Sequence, residues 1–260
     1  PTICYNTSTT LSVTGTSAIG WYTALTGGTY LGGGGSYTTA NLIATTNYYA
    51  QDSSCSASVR TLITVTVNPQ ITSTVSSQTN ILCNGGSTGA ATVLPAGGTS
   101  PFTYSWAPSG GTAATTTGRA AGTYTCTITD ASGCTRAQTV TLTQPPAITS
   151  SVSSQTNISC NGGSNGAATI LAGGGTGPYT YLWTPSGGTA ATTTGRTAGT
   201  YTCTITDANG CTRAQTVTLT QPPAITSSVS SQTNISCNGG ANGSATILAG
   251  GGTPGYTYSW

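Results

Sequence analysis

The stretch TYTCTITD at residues 200–207 alternates threonine with Tyr201, Cys203 and Ile205 and ends at Asp207. Successive side chains of a β-strand point to opposite faces, so Tyr201, Cys203 and Ile205 share one face and the threonines share the other. A strand with one buried and one wet face is typical of an antiparallel sheet packed on a second layer. This stretch therefore predicts a strand of a β-sandwich.

Further strand patterns surround this stretch, separated by Gly-rich and Asn-Gly turns, and none has the period of a helix. The predicted strands are 148–154, 157–160, 167–172, 179–183, 191–194, 200–207 and 212–220. About seven short strands around a buried Trp183 describe an immunoglobulin-like sandwich. Tyr201, two residues before Cys203, has the spacing of a tyrosine corner. An up-and-down barrel also alternates, but the unit is small for one.

An internal repeat of 77 residues organises the chain, since Cys83, Cys160 and Cys237 are spaced by that interval. A period of this length fits a small independent domain rather than a solenoid rung. The predicted domains are a different first domain at 1–69, two repeats at 70–146 and 147–223, and a partial repeat at 224–260. The first domain also has strand patterns, the earliest around Trp21. The natural protein is expected to continue beyond Trp260.

Composition excludes several functional classes. Charged residues make up 3% of the chain, and Lys, Glu, His and Met are absent. Five scattered Arg residues form no basic stripe, which argues against nucleic-acid binding. No apolar run approaches the length of a membrane span. No signal peptide is visible, and because Pro1 follows no initiator Met, the start is expected to be processed or not covered.

The residues that enzymes need are also missing. Without His, neither a Ser-His-Asp nor a Cys-His arrangement can form. Asp52, Asp130 and Asp207 fall one in each complete domain, so a glycosidase pair is not expected. The Asp-Ala-Ser-Gly and Asp-Ala-Asn-Gly motifs are interpreted as hairpin turns, because a calcium loop needs several acidic oxygens. The sequence predicts no catalytic residue, no metal site and no cofactor.

Aromatic residues are predicted to pack in the cores. Trp21, Trp106 and Trp183 are the expected buried anchors. Tyr48 and Tyr49 are adjacent in a predicted strand, so one of them must point outward, and only there is an aromatic contact with a ligand worth testing.

The repeat resembles a known family. CNGGSNGAAT, then GG-x-x-x-YTY-x-W, then AGTYTCTITDANGCT and a closing TLTQPP, look like the SprB repeat of Bacteroidota cell-surface proteins. The resemblance covers nearly all of residues 70–260. The first domain is similar to an immunoglobulin-like module of the same giant secreted proteins. Two departures stand out: family members usually have an aliphatic residue at the positions of Cys126 and Cys203, and often Leu at those of Arg119 and Arg196.

The resemblance implies a function in extension and adhesion. The SprB family is named after a gliding-motility adhesin that the type 9 secretion system exports. The resemblance therefore implies an extracellular filament at the cell surface. Expected partners are neighbouring domains of the chain, with surface glycans or a substrate reached through domains outside these residues. The alternative is a stalk or binding module of a secreted enzyme. Many repeats would favour the adhesin, and few the enzyme.

The resemblance also implies two-cysteine domains, bridged as Cys4–Cys55, Cys83–Cys134 and Cys160–Cys211. Cys126 and Cys203 would then be buried core thiols, and Cys237 would await a partner beyond Trp260. A second map stays open, because in standard topology the start of strand B and the F–G turn lie at opposite ends of the sandwich. In that map Cys83 meets Cys126, and Cys134 bonds the neighbouring domain.

Overall fold

The structure is a computed structural model that describes residues 1–15, 18–54, 59–108, 110–185 and 187–260. Every regular element within these ranges is a β-strand. The chain divides into two compact units, residues 1–81 with 87–143 and residues 82–86 with 144–260. Among the described residues, no helix has the length and apolar character needed to cross a membrane.

The amino-terminal part of the first unit has two sheets. Its strands are β1 (Thr2–Ile3), β2 (Thr10–Ser12), β3 (Ile19–Tyr22), β4 (Tyr30–Gly33), β5 (Ser36–Thr38), β6 (Thr46–Asp52) and β7 (Thr61–Val67). One sheet has the order β1-β7-β6-β3-β4, and β2 pairs with β5 in the other. Trp21 of β3 is fully buried in a core that includes Leu11 of β2. Its indole N–H donates to the Gly34 carbonyl at 2.9 Å, so the buried polar atom is satisfied.

The first repeat adds a six-stranded sandwich to this unit. Its strands are β8 (Ile71–Thr79), β9 (Gly89–Gly97), β10 (Thr103–Ala107), β11 (Thr115–Arg119), β12 (Gly122–Thr129) and β13 (Thr135–Leu142). They form two antiparallel sheets, β8-β9-β11 and β10-β12-β13. These orders correspond to strands A-B-E and C-F-G of an immunoglobulin domain. The predicted fold class, all-β with tandem immunoglobulin-like sandwiches, is confirmed.

The second unit repeats this sandwich one period later. Its strands are β14 (Thr149–Thr156), β15 (Gly166–Gly173), β16 (Thr180–Thr184), β17 (Thr192–Arg196), β18 (Gly199–Thr206) and β19 (Thr212–Leu219). The sheets are β14-β15-β17 and β16-β18-β19. A final hairpin follows, formed by β20 (Thr226–Thr233) and β21 (Ser244–Gly250).

The alternation of residues 200–207 appears directly in the core of the second unit. Tyr201, Cys203 and Ile205 of β18 are buried with Trp183 of β16. Trp183 lies opposite Cys203 across the strand pair. The tyrosine corner is also present, since the Tyr201 hydroxyl donates to the carbonyl of Thr197 at 3.1 Å.

One predicted strand is wrong. Residues 157–160 form no strand, although the stretch Asn-Ile-Ser-Cys alternates. Ile158 is buried, and its N–H donates to the Thr220 carbonyl at 2.9 Å. Asn157 uses its side-chain oxygen to accept the Thr220 N–H at 3.1 Å. The segment is therefore a loop that inserts one side chain into the core, and the sandwich has six strands rather than seven.

The third repeat forms only its first hairpin. Trp260 is 83% exposed and Ile235 is 56% exposed, whereas their equivalents Trp183 and Ile158 are buried. Residues 224–260 correspond to the part of a repeat that precedes the fourth, fifth and sixth strands, which would cover these side chains.

Candidate functional site

Two disulfides join consecutive domains of the sequence. Cys4 of the first domain bonds Cys134 in the β12–β13 turn of the first repeat, with the Cα atoms 5.5 Å apart. Cys83, in the β8–β9 loop, bonds Cys211 in the β18–β19 turn of the second repeat, with the Cα atoms 5.6 Å apart. Both distances are ordinary for a disulfide. Each bond lies within one compact unit.

The pairings Cys4–Cys55, Cys83–Cys134 and Cys160–Cys211 are therefore wrong. Cys55 lies outside the described residues, and Cys160 is a free, exposed thiol. The reason is the topology of the sandwich. Cys83 precedes Gly89, which pairs with Arg119 at the end where β12 begins, whereas Cys134 follows the other end of β12. Eight residues of strand span about 27 Å, far more than the 7 Å or so that a disulfide bridges.

The second map is correct in one part and wrong in the other. Cys134 does bond the neighbouring domain, but Cys83 does not meet Cys126. Cys126 and Cys203 are free and fully buried. Burial raises the pKa of both thiols. A backbone hydrogen bond at Ser105 for Cys126, and at Leu182 for Cys203, acts to lower the pKa but does not outweigh burial. They occupy core positions as neutral, small apolar groups.

Asp207 organises the turn that presents Cys211. Its carboxylate accepts the backbone N–H groups of Cys211 and Asn209 at 2.9 Å and that of Thr176 at 3.0 Å. Burial acts to raise the pKa of this carboxyl, but the three backbone hydrogen bonds bring it below its ordinary value. Gly210 closes the turn at φ +80°, a conformation that favours glycine. The interpretation of this motif as a hairpin turn is thereby supported.

The loop 82–86 that holds Cys83 is fixed by polar contacts to the segment after β13. Asn84 donates through Nδ2 to the Pro145 carbonyl at 3.0 Å, and the Gly85 N–H donates to Gln144 Oε1 at 2.8 Å. From the opposite side of the junction, Asn209 donates through Nδ2 to the carbonyl of Leu82 at 3.0 Å. The disulfide is thus accompanied by a specific hydrogen bond between loop and turn.

The Cys4–Cys134 junction is built similarly. Asp130 accepts the N–H groups of Ser132 and Cys134 at 2.9 Å and that of Thr99 at 3.0 Å. Asn68 donates through Nδ2 to Cys134 Sγ at 3.6 Å. The same acidic turn therefore presents the cysteine in both complete repeats.

The predicted aromatic anchors are all buried: Trp21, Trp106 and Trp183. Tyr48 is also buried, and the adjacent Tyr49 is half-buried. Among the described residues, no three His, Cys, Asp or Glu side chains lie close enough to share a metal ion. The Asp carboxylates at 130 and 207 are engaged by backbone N–H groups in their turns.

Sequence reasoning missed the polar residues around the disulfides. Asn84, Gln144 and Asn209 were not singled out, although each belongs to a motif quoted as part of the repeat. The available signal was that Cys-Asn-Gly-Gly and Gln-Pro-Pro recur together with the same spacing. A loop and a linker that recur as a pair are good candidates for mutual contact.

Comparison with family models is consistent with this architecture. Residues 1–69 match the family described as Ig-like domain CHU_C associated. Residues 75–111, 152–188 and 229–260 match the SprB repeat. The chain carries SprB repeats behind an Ig-like domain. In each SprB repeat the matched segment includes the loop cysteine, at positions 83, 160 and 237, whereas the turn cysteines Cys134 and Cys211 follow the matched segments.

No curated protein matches the sequence. Among solved structures, the eight amino-terminal Ig domains of DSCAM are 16% identical, with a TM-score of 0.44, over 85% of this chain and 35% of that one. The SprB-repeat chain thus spans about a third of the DSCAM fragment. The mouse nectin-like molecule 4 ectodomain is 13% identical with a TM-score of 0.36, over 84% and 95% of the two chains. Titin domains I67–I69 are 12% identical with a TM-score of 0.33, over 84% and 94%. TM-scores this low do not support a relationship to these proteins. The fold is assigned from the strand order.

Proposed function

We propose that this chain is the repeat region of a secreted bacterial cell-surface filament or giant adhesin, and that it acts as an extended stalk. The SprB and Ig-like matches support a structural or adhesive repeat region at the cell surface. Export by the type 9 secretion system and a part in gliding motility belong to the same proposal. A stalk needs no catalytic residues. The composition agrees with this, since the chain lacks His and its three Asp residues fall in separate domains.

The observation that carries the proposal is the disulfide bonding of the first domain to the first repeat and of the first repeat to the second. Disulfides of this kind persist in oxidising, extracellular compartments. The loop closed by Cys4–Cys134 overlaps the loop closed by Cys83–Cys211. The shortest covalent path from Cys4 to Cys211 therefore crosses both disulfides and only the backbone between Cys83 and Cys134.

This path limits how far the chain can lengthen when pulled. About 50 residues of extended backbone span about 170 Å, whereas the roughly 200 residues from Cys4 to Cys211 span about 700 Å when both bonds are reduced. A stalk under load benefits from the shorter maximum extension of the disulfide-bonded chain. When a domain unfolds, its disulfides keep part of its backbone from extending.

Force spectroscopy on the full chain, attached at residues 1 and 260, tests the proposal. We expect the fully unfolded oxidised chain to be shorter than the reduced chain by about 500 Å, the difference between these two paths. The Cys160→Ser variant is the matched control and should behave as the wild type, since Cys160 is free. Equal lengths before and after reduction would contradict a load-limiting stalk. The number of repeats in the complete reading frame separates the stalk of an adhesin from an ancillary module of a secreted enzyme.

A further inference from the structure

The loop 159–163 of the second repeat has the same construction as the bonded loop 82–86. Asn161 donates through Nδ2 to the Pro222 carbonyl at 3.1 Å, and the Gly162 N–H donates to Gln221 Oε1 at 2.9 Å. These contacts match those of Asn84 and Gly85 one period earlier. Gly162 has a φ of 76°, and Gly85 has a φ of 75°. The loop around Cys160 is therefore in the bonded conformation although its thiol is free.

The surface beside Cys160 also corresponds to a junction. A cavity of about 430 Å³ is lined by Cys160, Asn161, Pro223, Ala224 and Ile225, together with Gly252 and Thr253. The cavity beside Cys83 has about 410 Å³ and is lined by the equivalent residues Asn84, Pro146, Ala147 and Ile148. Its other wall includes Gly210 and Cys211, from the acidic turn. The two surfaces thus share equivalent loop and linker residues. The surface beside Cys83 shows that such a surface contacts the acidic turn of the next repeat.

We infer that the loop 159–163 is a docking site for the Asp-x-x-Gly-Cys turn of a following SprB repeat, and that Cys160 forms a disulfide with the cysteine of that turn. By analogy with Asn209 and Leu82, an Asn in the docked turn would donate to the carbonyl of Ser159. The inference deepens the proposed function, because serial repeats would then be bonded at every join by one rule: loop cysteine to the turn cysteine of the next repeat.

The bond forms by thiol–disulfide exchange with a disulfide oxidant, for which oxidised glutathione serves in the test. One thiolate attacks the oxidant and releases one thiol, and the second thiolate then displaces the other thiol. Two cysteine thiols and one glutathione disulfide thus give one protein disulfide and two reduced glutathiones. Because Cys160 is exposed, the oxidant can reach it.

The test is a chain with a second copy of residues 147–223 inserted after Pro223. The copy carries Cys160→Ser, so that the chain keeps a single Cys160, and Ala208→Ser, which labels the mass of the peptide that contains its turn cysteine. After refolding in a glutathione redox buffer, tryptic peptides are mapped without reduction. A matched control carries Cys211→Ser in the copy as well.

We expect the Cys160 peptide to be linked to the labelled turn peptide, and Cys160 to resist alkylation. In the control, Cys160 should be alkylated as fast as in the original chain. A Cys160 that stays alkylatable in the folded oxidised chain, or that bonds Cys237 or a second molecule, overturns the inference.

Protection of the core thiols Cys126 and Cys203 from alkylation reports that the inserted chain has folded. Should the insertion fold poorly, residues 184–223 with Ala208→Ser are appended after Trp260 instead, which completes the third repeat, and the same map is made. Burial of Trp260, seen as a blue shift of its fluorescence, then reports folding. Peptide mapping measures neither extension under force nor adhesion, so the two proposals can fail separately. If the Cys160 bond is missing, the inference is refuted and the proposed stalk is not. If the bond forms but disulfides do not limit extension, the stalk is refuted and the inference is not.

Discussion

Cys203 and Cys211 stand eight residues apart in one repeat and differ in every structural respect. Cys203 is fully buried opposite Trp183 and has no bonding partner, whereas Cys211 lies in the β18–β19 turn and bonds Cys83. The facing sheet supplies Ala168 and Ile170 to the core around Cys203, so no second thiol is available there. Position within the sandwich separates the two kinds of cysteine: Cys126 and Cys203 in the cores stay reduced, whereas all four bonded cysteines lie between strands, as does the free Cys160.

The largest expected effect is the loss of stability when the paired cysteines are replaced. We expect Cys83→Ser with Cys211→Ser to lower the free energy of unfolding by about 5 kcal/mol, because the bond closes a loop of 128 residues in the unfolded chain. Denaturant unfolding followed by tryptophan fluorescence measures the change. Cys160→Ser, the equivalent loop position without a bond, is the control and should leave stability unchanged. A double variant as stable as the wild type would show that the disulfide is not a stabilising element.

The second effect concerns the reactivity of the free thiols. In the native chain, Cys160 should react with iodoacetamide on the order of a thousandfold faster than Cys203, because Cys203 must await unfolding of its sandwich. Burial also raises the pKa of the Cys203 thiol, which lowers the fraction present as the reactive thiolate. Quantitative mass spectrometry of the tryptic peptides gives both rates. In denaturant the difference should vanish, and comparable native rates would mean that the core around Trp183 opens readily.

The smallest effect comes from Asp207, which positions the turn of the paired cysteine. Its pKa is lower in the folded state than the ordinary value, so the unfolded chain binds a proton more readily. The stabilisation is present above about pH 4 and is lost as the pH falls through the folded pKa. Acid titration of stability, compared between wild type and Asp207→Asn, measures it. The variant should have a flatter acid limb, and identical limbs would contradict the role of this carboxylate.

The sequence predicted the fold well, because alternation and turn residues are local signals. The strands around Trp183 and Tyr201, the acidic turns and the burial of the three Trp residues could all be inferred from patterns of fewer than ten residues. The pattern of residues 157–160 predicts a strand, because a loop with one inserted side chain, Ile158, alternates just as a short strand does.

The disulfide pairing could not be predicted from the same signals. Counting two cysteines per domain favours bonds within a domain, and nothing local in the sequence shows that Cys83 and Cys134 lie at opposite ends of one sandwich. The strand order of an immunoglobulin domain shows this separation, and from it the second map correctly assigned Cys134 to the neighbouring domain. The same order places a loop cysteine and a turn cysteine at the ends where consecutive domains join, as in Cys83–Cys211.

The overlap of the two disulfide loops has a consequence for proteolysis. Every peptide bond between Cys4 and Cys211 lies inside at least one covalent ring, and those between Cys83 and Cys134 lie inside both. A single cut by a protease anywhere in this stretch leaves the two pieces attached, so the nicked chain migrates as one species until it is reduced. Separation requires a second cut in a suitable position or the loss of a disulfide. Proteolytic damage would therefore have to accumulate before this part of the chain breaks.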